Sequence, residues 1–75
     1  MNNKKRQGLR EILTNIKNVK NQLTDILNEE ENAFSNMPES FQGTINGENS
    51  ENAIEAMEEC VDKFEEILEL IDSIV

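Results

Sequence analysis

The sequence predicts an all-α protein: an antiparallel, coiled-coil-like helical hairpin that dimerises into a four-helix bundle. Three observations carry that expectation. Apolar residues recur at alternating three- and four-residue steps on both sides of the chain's middle. The stretch between them, residues 36–50, holds the only proline and two of the three glycines. Each apolar stripe is also wider than one antiparallel neighbour can cover.

The first helix is expected over residues 3–35. Its apolar positions are Leu9, Ile12, Ile16, Val19, Leu23, Ile26, Ala33 and Met37, a heptad seam interrupted only where Glu30 takes an apolar place. Leu13, Leu27 and Phe34 stand beside that seam and broaden it. Glu30 either sets the register as a polar seam residue or reaches out to solvent. Gly8 weakens the helix near its start, by about 1 kcal/mol relative to Ala.

The linker is expected over residues 36–49. Pro38 disfavours helical geometry at Met37 and suits the first turn of a new helix, so residues 38–42 are read as one short turn. Gly43 and the pair Asn46–Gly47 then offer a permissive backbone for reversing direction. Phe41 either plugs the end of the bundle beneath the loop or stands out as an anchor for a partner.

The second helix is expected from about residue 50 to residue 75, with Ser50 as N-cap and Glu51 in the first turn. Its seam runs through Ala53, Met57, Cys60, Phe64, Ile67, Ile71 and Ile74, with Ile54, Val61, Leu68 and Val75 alongside. About three apolar positions per heptad suit a bundle helix with two neighbours, whereas a two-stranded coil needs only two. A lone hairpin leaves the outer edge of each stripe wet, and a homodimer covers it. Hence Leu9, Ile12, Ile16, Val19, Leu23, Ile26, Phe34, Met57, Cys60, Phe64, Ile67, Ile71 and Ile74 are assigned to core and dimer contacts.

The net charge of −9 is unevenly placed. Residues 1–20 carry six cations against Glu11 alone, a charge of +5, whereas residues 21–75 carry fifteen acids against Lys63, a charge of −14. In an antiparallel hairpin the basic start of helix one lies near the acidic end of helix two, and residues 1–10 project past it. Acids occupy the face of helix two opposite its stripe: Glu51, Glu58, Glu65 and Asp72 in one row, Glu55, Asp62 and Glu69 in another. Like charges four residues apart destabilise a helix by roughly 0.2–0.5 kcal/mol per pair, so local helix stability does not account for this layout. These seven acids and Phe41 form the candidate partner-binding surface.

Composition disfavours several other functions. Seventy-five residues with 36% apolar content make one small domain, which gains from a partner subunit. A single cysteine excludes an internal disulfide, and Cys60 on the seam reads as a small core residue. Histidine is absent, removing the commonest metal ligand and general base. The carboxylates fall on the outer face and not in a pocket that would tune them for catalysis. No enzymatic activity, cofactor or metal is expected. The acidic balance disfavours direct binding of nucleic acid. No apolar run spans a membrane or forms a signal peptide, so a cytoplasmic location is expected.

The linker AFSNMPESFQGT, residues 33–44, followed by the acidic helix ENAIEAMEECVDKFEEILELIDSI, residues 51–74, resembles a class of small acidic helical-hairpin proteins of phages, prophages and bacterial mobile elements. Phe34, Asn36, Met37, Pro38, Glu39, Phe41 and Gln42 carry the likeness, an aromatic-x-Asn-apolar-Pro-Glu linker ending near Gln. The segment GTINGENS departs from the shorter Ser/Glu-rich turn of that class. The resemblance implies no assigned activity. It does imply a host-directed binding role, such as counter-defence, and the acidic rows of helix two themselves suit nucleic-acid mimicry. The alternative is an assembly accessory whose main partner is itself.

Overall fold

The computed structural model describes residues 1–75 as three helices: α1 (Asn3–Ser35), α2 (Glu39–Gln42) and α3 (Ile45–Asp72). α1 and α3 pack antiparallel as an extended hairpin, and the single turn of α2 sits against α3. The result is a rod of 58 × 15 × 13 Å. The all-α hairpin expected from the two heptad stripes is therefore present.

α1 begins at Asn3, with Asn2 as its cap. The Asn2 side chain accepts a hydrogen bond from the Lys5 amide at 2.8 Å, satisfying one of the first-turn donors, and the helix runs through Gly8. It ends at Ser35, three residues ahead of Pro38. Gln42 then turns back on it. Its Nε2 donates to the carbonyls of Met37 at 3.0 Å and Phe34 at 3.3 Å, so a linker side chain occupies acceptors at the helix end.

The reversal differs from the expected one. Asn46 and Gly47 were assigned to a turn and Ser50 to the N-cap of the second helix, but α3 starts five residues earlier at Ile45. Thr44 is the cap: its Oγ1 accepts from the Gly47 amide at 3.5 Å and also donates to the Phe41 carbonyl. Its own carbonyl accepts from the Glu48 amide at 2.9 Å. Direction changes at two extended residues that bracket α2, Pro38 (ψ 143°) and Thr44 (ψ 173°), and no residue has positive φ. Two corners separated by one helical turn thus replace a glycine turn. Ser50, released from capping, donates from its hydroxyl to Glu30 Oε1. Glu30 is half-buried, and the one polar residue in the α1 seam meets a polar residue in the corresponding row of α3.

Gly47 has a different task from the one its sequence context suggested. It is buried, and a Cβ at this position would run into the backbone carbonyl of Gln42. Only a glycine lets α2 sit directly on the first turn of α3. At Gly43 an added Cβ meets nothing within 4 Å.

Contact between the long helices is centred on Leu13 and Leu27, the two buried hydrophobic residues, with Lys20 and Phe34 in the same heptad row of α1. Opposite lie Ile54, Val61, Leu68 and Val75 of α3 and its C-terminal end, all half-buried. Lys20 lays its stem in this seam and brings Nζ to 3.6 Å from Glu65. On the same flank Leu13 and Lys17 share a small pocket with Leu68, Glu69 and Asp72. The cross-helix pairs Lys20–Glu65 and Glu30–Ser50 place Val75 level with residues 5–10 of α1, so the first residues of α1, with Lys4 and Lys5, extend past the C-terminal end as a basic arm.

Replacing Gly47 with Ala is expected to lower stability by about 1–3 kcal/mol through forced separation of α2 from α3. Gly43→Ala should be neutral or stabilising by up to about 1 kcal/mol. Urea denaturation followed by circular dichroism compares the two, and equal effects would contradict the proposed close approach at Gly47.

Candidate interaction surfaces

Each apolar stripe is divided by the hairpin into a packed flank and an open one. On α1, every packed residue has an open predecessor: Ile12 before Leu13, Val19 before Lys20, Ile26 before Leu27, Ala33 before Phe34. On α3 the same step gives Ala53 before Ile54, Cys60 before Val61 and Ile67 before Leu68, and just past its end Ile74 precedes Val75. Successive residues are roughly 100° apart around a helix. Both helices are right-handed and they run in opposite directions, so the same one-residue step turns both open rows to one side of the hairpin. The exposed isoleucines and Val19 of these rows keep between 41% and 55% of their surface in solvent.

Between the open and packed rows lies a third, half-buried row on each helix: Leu9, Ile16 and Leu23 on α1, and Met57, Phe64 and Ile71 on α3. The thirteen positions assigned to core and dimer contacts thus fall into two groups. Leu9, Ile16, Leu23, Phe34, Met57, Phe64 and Ile71 are half-buried within the hairpin. Ile12, Val19, Ile26, Cys60, Ile67 and Ile74 are exposed. Cys60 is accordingly a surface thiol of the single chain and not one of its enclosed core residues. The residues that hold the hairpin together, Leu13 and Leu27, are the ones the heptad count put beside the seam. Their signal in the sequence was the neighbouring repeat Leu13, Lys20, Leu27, Phe34, which a lysine interrupts.

The open face contains a groove of about 370 Å³ on α3, bordered by Cys60, Lys63, Phe64 and Ile67 together with Ala56 and Glu59. Residues at i, i+3, i+4 and i+7 form the four-cornered hole that receives one side chain from a facing helix.

Acids occupy the other side. Glu55, Asp62 and Glu69 each follow a packed residue by one position, and Glu58, Glu65 and Asp72 follow one by four, which turns both rows away from the open apolar face. Glu51, Glu55, Glu58, Asp62, Glu65, Glu69 and Asp72 are all exposed. Only Glu65 has a cationic partner among them, Lys20; the other ion pair of the chain joins Lys63 to Glu66 at 3.8 Å. Near the linker, Glu31, Glu51, Glu55 and Glu58 surround an open groove of about 570 Å³ together with Phe34 and Ile54. Phe41 is 57% exposed at the tip, beside the 76% exposed Ile45, and does not plug the end of the rod. No group of side chains is arranged to hold a metal ion, and no helix is long and apolar enough to cross a membrane.

No protein-family model matches the chain, and no curated protein or solved structure is similar to it. Its surfaces must therefore be read from their own chemistry.

With acids repeating every ~10 Å along each row and two ion pairs to offset them, self-repulsion outweighs attraction on α3. Raising sodium chloride from about 20 mM to about 500 mM, which shortens the screening length from roughly 20 Å to below 5 Å, should raise the thermal midpoint. A falling midpoint in circular dichroism melts would show that the two ion pairs outweigh the repulsion.

Proposed function

We propose that this protein is a non-enzymatic binding module of a phage or mobile element. It pairs with a copy of itself through the open apolar face and engages a basic surface of a host macromolecule through the acidic face of α3. The observation that carries this reading is the placement of the two faces on opposite sides of one rigid rod. Neither is consumed by the hairpin, and occupation of one leaves the other free.

The acidic side suits a partner with lysine and arginine side chains. Its carboxylates stand in straight rows, unpaired save for Glu65, at intervals of ~10 Å. The groove bordered by Glu31, Glu51, Glu55 and Glu58 adds Phe34 and Ile54, a combination that accommodates the aliphatic stem of a basic side chain as well as its charge. A rod with acidic rows can occupy a host protein surface that otherwise receives DNA or RNA, which is the counter-defence reading. The linker resemblance to phage and mobile-element hairpins supports the same reading. Phe41 at the tip supplies an apolar contact beside the acids.

The open apolar face also favours a second reading, a structural accessory whose main partner is itself. The two differ in their response to salt, because charge recognition is screened and apolar contact is not.

The reading is tested by immobilising the protein, exposing it to lysate of a bacterial host and identifying what is retained. Retention should be lost above about 0.5 M salt and on addition of duplex DNA. The triple variant Glu58→Lys, Glu65→Lys, Asp72→Lys should retain less than about a tenth as much, a loss of at least 1.4 kcal/mol, while its helicity stays unchanged. Retention of the same protein by the triple variant, or in high salt, would overturn the acidic-face reading in favour of apolar assembly.

A further inference from the structure

We propose that the open face receives a second copy of this chain with the two linkers at opposite ends of the assembly. The two-fold axis runs perpendicular to the helices, close to Leu23 and Phe64. This rests on the self-pairing proposed above and specifies its geometry.

The chain exposes 5644 Å², against roughly 4,700 Å² expected for a folded monomer of its mass. The surplus of roughly 900 Å² per chain, counted for two chains, matches the area buried by a stable protein interface, about 1,200–2,000 Å².

The register of the open rows then points to the symmetry. The row Ile12, Val19, Ile26, Ala33 has its midpoint between residues 22 and 23, and the row Ala53, Cys60, Ile67, Ile74 has its midpoint between 63 and 64. The pairing of Lys20 with Glu65 places residues 22 and 23 level with 63 and 62. The two midpoints therefore lie at a similar height near the middle of the rod. One perpendicular two-fold axis brings each row onto its own copy simultaneously. It also sets Leu23 near Leu23 of the second copy, and Phe64 level with the second copy's hole at Cys60, Lys63, Phe64 and Ile67.

A pairing with linkers at the same end would register as well, with α1 facing α3 of the copy. Side-chain volume distinguishes the two. With linkers at opposite ends, Ile12 faces Ala33 of the second copy, Ile74 faces its Ala53, Ile67 faces its Cys60 and Ile26 faces its Val19. Large meets small along the rod, as close packing requires. With linkers at the same end, Ile12 would face Ile74 and Ala33 would face Ala53, crowding one end and leaving a void at the other.

Charge points the same way. Each basic arm, with Lys4, Lys5 and Arg6, would lie along the linker of the other copy, which carries Glu39 and the exposed Phe41. The overhang of α1 past α3 then has a surface to cover. Two acidic α3 helices can meet because the row bordering the open one, Ala56, Lys63 and Leu70, contains no acid.

The experiment joins sedimentation with cysteine cross-linking. The variant Val19→Cys, Ile26→Cys, Cys60→Ser changes only exposed side chains, and mild oxidation should convert most of it to a covalent dimer joined between positions 19 and 26. A second variant, Leu23→Cys with Cys60→Ser, should dimerise through its own position with a short bismaleimide. Ile26→Cys with native Cys60 should give no interchain link between 26 and 60. A 26–60 interchain link would overturn the opposite-end arrangement while keeping the self-pairing. A species of 8.6 kDa at tens of micromolar with no cross-linking in any variant would overturn both. A dimer by sedimentation that cross-links in none of the three variants would overturn the arrangement alone.

Discussion

An α-helix laid against a single neighbour hides an arc of side chains centred on the line between the two axes. In this chain that line passes through Leu13 and Leu27 on α1 and through the row Ile54, Val61, Leu68 on α3. The apolar stripe of each helix is three rows wide, so the hidden arc ends before the stripe does. Ile12, Val19, Ile26, Cys60, Ile67 and Ile74 remain in solvent because no amount of hairpin packing can reach them. The width of the stripe and the geometry of two rods leave no other outcome for a single chain.

The distribution of polar residues fits the same frame. Lys20 interrupts the packed row, but its long stem fills the seam while its charge emerges beside Glu65 on the polar side. Glu30 and Ser50 meet across the hairpin near the linker and satisfy each other where an apolar pair would otherwise stand. Acids are excluded from the open rows and from the row Ala56, Lys63, Leu70, although they crowd every other exposed row of α3. Such a division is costly to helix stability, since it concentrates like charge on one side. It becomes intelligible if both sides of the rod meet something.

The linker connects these features by fixing the register. Pro38 and Thr44 make two corners around α2, Gln42 ties back to the end of α1, and Gly47 admits the backbone of α2 against α3. Sliding one helix by a turn would break all of these contacts. The common height of the open rows, on which a symmetric assembly depends, is therefore set at the linker, far from the middle of the rod where the axis would lie.

How much of this was legible beforehand differs by level. The three-and-four spacing of apolar residues was sufficient for two helices and an antiparallel hairpin, because periodicity alone specifies which side of a helix must leave water. Pro38 likewise specified where α1 stops, through its effect on the preceding residue. The sequence could not say which flank of each stripe the partner helix would take. Both flanks are apolar, and the choice of Leu13 over Ile12 is made by the mutual rotation of the two helices, a property of the pair and of neither segment. For the same reason Cys60, a core residue by its heptad position, is exposed, and Ser50 and Gly47, cap and turn by their local context, are neither. Their roles follow from what lies across from them, Glu30 and Gln42, which only the folded chain brings into contact.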